Sequence, residues 1–147
     1  AAQLLEKDFS VSSDIWSMTS FTELARDGME NERQQRLHPT QKSKPCYVEQ
    51  QLAGKKGPVI AATDYMRAYA DQIRPFVAAP YVTLGTDGYG RSDTRKKLRH
   101  FFEVDAKFIA LAALKALVDT GELPASTVAD AMKRYRINPD KLNPAIH

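Results

Sequence analysis

The 147 residues carry 21 lysines and arginines against 18 aspartates and glutamates, a net charge of +3 with a pI near 9.0. A hydrophobic share of 43% with 27% charged residues is that of a globular domain with a real core, which excludes a disordered or low-complexity chain. The basic excess is too small to argue for nucleic acid, no apolar run approaches the ~18 residues of a membrane span, and the lone Cys46 excludes an intrachain disulfide and fits a reducing compartment.

The chain opens in helical character with Leu4, Leu5 and Phe9 on the inward face. Neither an N-cap nor an initiator Met precedes Ala1, so the expectation is a piece of a longer chain whose first strand is missing. Ser12-Ser13-Asp14 reads as a turn and Ile15-Trp16-Ser17-Met18 as a short strand, with Trp16 packing under the sheet. Ser20-Phe21-Thr22-Glu23 is a capping box: the Ser20 hydroxyl accepts from the Glu23 backbone N–H and Glu23 reaches back. The helix it starts is expected to end or kink near Gly28, and His38-Pro39 stops whatever remains.

Residues 40–46 form a polar connection, followed by a short helix, Tyr47 to Leu52, closed by Gly54. Lys55-Lys56-Gly57 turns into a second buried strand, Val59 to Ala62. Thr63 or Asp64 is expected to cap a helix with Met66, Tyr69, Ile73 and Phe76 on one face, which Pro75 bends or ends near Arg74. Tyr81 to Leu84 is the third strand, and it leads into a loop with glycines at 85, 88 and 90.

Ser92 or Asp93 is expected to cap the helix that runs through Leu98 to Phe102. Asp105 caps the next, which is apolar nearly all round from Phe108 to Val118 and therefore buried on more than one side, with Phe108, Leu111, Leu114 and Leu117 almost fully buried. Gly121 ends it, Pro124-Ala125-Ser126 starts a last helix with Val128, Met132 and Tyr135 on one face, and Asn138 to His147 is irregular. Strands alternating with helices predict one α/β domain over residues 1–147: three layers, with a mostly parallel sheet flanked by helices.

Chemistry-bearing motifs are scarce. The loop has the spacing Gly-x-x-Gly-x-Gly, not the Gly-x-Gly-x-x-Gly of a dinucleotide fold, and no Gly-Lys-Ser/Thr occurs, so it is weak as a phosphate cradle. The favoured reading is that Asp87 and Arg91 hold the loop by hydrogen bonds while its glycines solve a backbone problem. A second reading makes Asp87, Gly88, Tyr89, Gly90, Arg91 and Ser92 a structural or docking loop. The basic run Arg91, Arg95, Lys96, Lys97, Arg99, His100 reads as a solvated helix face in preference to a patch for phosphate or an acidic partner. His38, His100 and His147 have no partner at metal-ligand spacing, and no serine stands in a Gly-x-Ser-x-Gly context. No catalytic, cofactor-binding or metal residue is assigned.

Three stretches nevertheless carry a resemblance: Leu84-Gly85-Thr86-Asp87-Gly88-Tyr89-Gly90-Arg91-Ser92-Asp93 with Leu98-Arg99-His100-Phe101-Phe102-Glu103-Val104-Asp105; Trp16 to Gly28; and Ala61 to Met66. In this order they resemble the C-terminal domain of the homodimeric pyruvate dehydrogenases, the decarboxylating component of the bacterial complex, and more loosely that of transketolases. The resemblance implies a parent enzyme that decarboxylates pyruvate with thiamine diphosphate and Mg2+ and passes the acetyl group to lipoyl arms. It implies the remaining domains of its own chain, a second subunit and the dihydrolipoyl acetyltransferase core as partners, with neither nucleic acid nor membrane, in the bacterial cytoplasm. In that family the cofactor lies between the other two domains, and the metal-binding pattern begins Gly-Asp-Gly. Thr86-Asp87-Gly88 lacks the first glycine and the later asparagine, so this piece is expected to support the dimer, to bind no cofactor and to be inactive alone. A larger apolar patch than a monomer shows, with weak self-association around the central loop, is expected to follow. Asn31 to Arg36 and Gln41 to Lys44 depart from the family's pattern. The alternative is an independent α/β module using the Gly85–Gly90 loop for a phosphorylated ligand.

Overall fold

Two short strands, β1 (Val59–Ala62) and β2 (Tyr81–Leu84), run parallel and in register, Val59 opposite Tyr81 and Ala62 opposite Leu84, in the computed structural model, which describes residues 1–147. Seven helices surround them: α1 (Ala2–Phe9), α2 (Phe21–Leu37), α3 (Tyr47–Leu52), α4 (Arg67–Asp71), α5 (Arg95–Phe101), α6 (Ala106–Asp119) and α7 (Ser126–Tyr135). Parallel strands cannot be joined by a hairpin, and the crossover here is α4 followed by one 3-10 turn, Arg74–Phe76, with Pro75 inside it.

The sheet divides two apolar cores because successive strand side chains point to opposite faces. Ile60 packs with Leu5 of α1, with Phe108, Ala110, Ala113 and Leu114 of α6, and with Ala131 and Tyr135 of α7. Val59 and Ala61 turn the other way, toward Ala25 of α2, Cys46 and Val48 at α3, and Ile73, Phe76 and Val77. The result is an α/β fold with a small parallel sheet flanked by helices. Leu114, with no exposed surface, is the centre of the first core, whereas Leu111 is only partly buried, contrary to expectation. It lies on the flank of α6, where that apolar-all-round helix meets less of the chain.

The sheet has two strands, not three. Ile15 to Met18 lies outside regular secondary structure and forms no backbone–backbone hydrogen bond, since no strand lies beside it to receive one. Ile15 is 82% exposed, and Trp16 packs outside the sheet under the Lys55 ammonium, 5.7 Å from its ring centre, while Lys55 also pairs with Asp14 at 2.8 Å. The outer edge of β2 is closed instead by a side chain: Arg74 donates from Nη1 to the Tyr81 carbonyl at 2.7 Å.

Three helix boundaries also differ from the sequence reading. α2 begins at its capping serine, whose Oγ accepts from Glu23 N at 3.2 Å, but runs straight through Gly28 to Leu37. Gly28 is there for space: a Cβ on it would lie 2.4–2.5 Å from the Phe76 ring. Neither Thr63 nor Asp64 caps α4, which starts later, after Met66. Thr63 accepts from Tyr65 N at 3.1 Å within a bend, and Asp64 is drawn toward α5. Nor does Ser92 or Asp93 cap α5; Thr94 does, its Oγ1 accepting from Lys97 N at 3.5 Å, while Asp93 accepts from Thr94 N at 2.7 Å. Asp105 caps α6 as the sequence predicts, accepting from Lys107 N and Phe108 N at 2.9 and 3.0 Å. The tail from residue 138 is irregular but seated: Lys141 donates to the Phe101 carbonyl at 2.6 Å and to Glu103 at 3.0 Å.

Candidate functional site at the strand ends

Both strands point their C-terminal ends at the same surface, where open α/β sheets place their ligands. Gly85 ends β2 and is buried; a Cβ there would lie 2.6 Å from the Tyr65 carbonyl oxygen and 2.7 Å from Arg67 N. Glycine therefore lets the loop after β2 lie against the segment after β1. Thr86 N then donates to Tyr65 O at 2.8 Å, and Thr86 Oγ1 to Asp64 O at 2.9 Å. Asp87 fastens the same junction by accepting from Arg67 Nε at 2.6 Å. Gly88, at φ 107°, occupies a region closed to other residues and lies under the tail, where a Cβ would sit 2.1 Å from the Pro144 carbonyl oxygen. Above Gly90 the space is open, and Tyr89 and Ser92 are exposed.

Arg91 does not hold the loop by hydrogen bonds. Its guanidinium lies 4.0 Å from the Phe101 ring centre and donates to no acceptor. Asp87 holds the loop as expected, and the other bonds that fix this surface come from residues the sequence reading put to other use. Arg99 donates to Asp64 from Nε at 3.1 Å and from Nη2 at 2.6 Å, a bidentate pair across 35 residues of sequence. Those hydrogen bonds hold the Asp64 carboxyl below its ordinary 3.8, overcoming a smaller desolvation effect, and Asp64 in turn raises Arg99. No local pattern could have announced a pair so distant.

Asp64, Arg95 and Arg99 separate two adjoining clefts. One, of about 690 Å³, lies between Ala1, the Ala62–Thr63 end of β1, Lys96 and the start of α6. The other, of about 500 Å³, lies between the Gly88–Arg91 loop and the Leu98 and Phe102 side of α5. His100 is turned away to Asp105, Nδ1 to Oδ2 at 2.9 Å. The basic run is thus partly spent on Asp64, Asp93 and Asp105 and partly free.

The donor set does not fit thiamine diphosphate with its metal. No three histidine, cysteine, aspartate or glutamate side chains converge on a point that could hold a cation. Asp64 and Asp87, the carboxylates nearest the loop, are each engaged by an arginine. Nor does a nucleophile stand beside a base in either cleft.

An α/β domain with a small parallel sheet flanked by helices and two adjoining clefts at its strand ends is what the fold and site define. The chain belongs to the family of transketolase-like TK C-terminal domains, whose pattern it matches over residues 1–105. It is 58% identical to the pyruvate dehydrogenase E1 component of Cupriavidus necator, 57% to that of Pseudomonas aeruginosa and 48% to that of Escherichia coli K12, each over 98–99% of this chain. It spans 16% of the length of each of these relatives.

Proposed function

We propose that residues 1–147 act as one domain, the C-terminal domain of a pyruvate dehydrogenase E1 component. The parent enzyme carries out thiamine-diphosphate- and Mg2+-dependent oxidative decarboxylation of pyruvate and transfers the acetyl group to lipoyl groups. The observation that carries this reading is identity of 48–58% to three E1 components over nearly the whole chain, far above what a shared fold alone requires. The domain contributes scaffold and contact surface and leaves chemistry to the other domains.

Its partners on this reading are the rest of its own chain, a second E1 subunit and the acetyltransferase core, in the bacterial cytoplasm. No helix is long and apolar enough to cross a membrane. The contact surface is the exposed apolar rim around the strand ends: Tyr65, Met66, Tyr69 and Tyr89, with Tyr65 and Tyr69 edge to face at 5.6 Å. In the isolated chain that rim supports weak self-association. Asp87 to Ser92 form the docking loop within it, fastened at its base by the Asp87–Arg67 pair.

A chimera tests the proposal. The Pseudomonas aeruginosa E1 component, with its matching segment replaced by this chain, should decarboxylate pyruvate and acetylate lipoyl domains. The chain alone should do neither, and calorimetry should find no saturable thiamine diphosphate binding tighter than about 100 μM in the presence of Mg2+. A chimera that folds and dimerises yet has no turnover would overturn the reading.

A further inference from the structure

The cleft between the glycine-rich loop and α5 is lined by two exposed arginines, Arg91 and Arg95, of which only Arg95 has a carboxylate within ion-pair range. Arg99 engages Asp64 with two hydrogen bonds. Arg95 forms a long ion pair with the same carboxylate, Nη2 to Oδ2 at 3.8 Å, and is 80% exposed at its side chain. Arg91 has neither a carboxylate partner nor an acceptor, and lies 4.0 Å from the Phe101 ring centre. A guanidinium packed on a ring loses rotamer freedom but keeps its N–H fork available, so Arg91 is ordered without being consumed. Both arginines line this open cleft of about 500 Å³. Leu98 and Phe102 give it an apolar side, and Tyr89 stands exposed at its rim. The carboxylates that line it, Asp64 and Asp93, already have cations of their own in Arg99 and Lys97.

We propose that this cleft binds a small phosphate monoester bearing an apolar or ring-containing group. The phosphate sits between Arg91 and Arg95, whose planar forks match its oxygens, and the apolar group lies against Leu98, Phe102 and Tyr89. A dianion is favoured over a single carboxylate because two guanidiniums line the cleft while both of its carboxylates, Asp64 and Asp93, already lie beside cations. The glycines act only by shaping the loop: Gly88 is spent on packing against the tail, and the space above Gly90 leaves the cleft open. The cleft provides no general acid or base, so the site binds and does not convert its ligand.

The test is titration of the chain, and of the chimera, with phenyl phosphate and with inorganic phosphate. Backbone amides at Gly88 to Arg91 and the Arg91 and Arg95 side-chain Nε–H signals are followed by NMR. Phenyl phosphate should bind saturably, at least about threefold more tightly than inorganic phosphate, because its ring is removed from water. Arg91→Gln and Arg95→Gln should each weaken it by about tenfold, ~1.4 kcal/mol. Arg91→Lys should fall between parent and Gln, since it keeps the charge and loses the fork. Lys115→Gln, on an exposed helix face remote from the cleft, should change nothing. All three positions are exposed, and unchanged unfolding midpoints would show that the four variants fold. The proposal is overturned by the lack of any saturable shift up to about 10 mM, by Gln variants that bind as the parent does, or by a glutamate-rich peptide that displaces phenyl phosphate at lower concentration. These outcomes are read in binding, so they are independent of whether the chimera turns over.

Discussion

Asp87 accepts a hydrogen bond from Arg67 Nε at 2.6 Å, and its two oxygens also lie 3.3 and 3.4 Å from the Arg67 backbone nitrogen. One carboxylate thus holds both the side chain and the start of α4, tying the loop after β2 to the helix after β1. The pair is half open to water, so it contributes less than a buried ion pair does. Asp87→Ala should lower stability by about 1 kcal/mol and sharply raise hydrogen exchange at Thr86 to Gly90. Exchange rates like those of the parent would mean the loop is held by something else.

Gly28 shows that a glycine inside a helix can be a packing residue. Gly28→Ala gains about 1 kcal/mol of helix propensity but drives a methyl into the Phe76 ring. Overpacking costs about 1–3 kcal/mol, so the net change should be a loss, read as a lower urea midpoint with an unchanged slope. In a Phe76→Leu background the penalty should shrink, because the flat contact is gone.

Leu114 has no exposed surface and lies at the centre of the core formed by α1, α6 and α7. Leu114→Ala should cost about 2–5 kcal/mol through lost transfer energy and a residual cavity. Leu111→Ala should cost less, since Leu111 is only partly buried. Equal losses would place Leu111 deeper than its surroundings indicate.

Two buried tyrosines predict an alkaline limit. Burial is the main cause that pushes Tyr81 up to about 12, with its hydroxyl donating to the Ala70 carbonyl at 2.8 Å. Tyr135 is also pushed to about 12, first by burial and then by its bond to Asp8. For both, the folded value stands above the ordinary 10.0, so the neutral phenol is the form the fold prefers. Their contribution is complete below pH 10 and is lost as pH rises from there through about 12. Chemical denaturation across that window should show falling stability, and Tyr135→Phe should flatten part of the slope. A slope identical in the variant would exclude Tyr135 as a source.

Gly88 couples the loop to the tail. Gly88→Ala must abandon φ 107° and displace the Pro144 carbonyl. The tail from residue 138 should then become a site of rapid proteolysis, while Leu114 and its neighbours remain protected from exchange. A tail as resistant as in the parent would show that Lys141 alone secures it.

The sequence by itself determined those elements whose physics is local. The capping serine at 20 and aspartate at 105 announced their helices because a cap needs only a side-chain acceptor and a donor two or three residues on. Apolar strands at 59–62 and 81–84 and the all-round apolar helix at 106–119 were legible from periodicity and length. The family was legible too, from the ordered stretches around Trp16, Ala61 and Leu84, and its pattern matches residues 1–105.

Tertiary structure alone decided what depended on distant partners. Ile15 to Met18 has strand composition, but a strand exists only when a neighbour supplies the other half of its hydrogen bonds. Gly28 reads as a break until Phe76, far along the chain, is seen to need its space. Asp64 reads as a cap until Arg99 outbids the helix with two charge-assisted bonds. Arg91 reads as a loop fastener, yet Phe101 takes its guanidinium face and leaves its donors free, which depends on how α5 packs and on nothing in the local sequence.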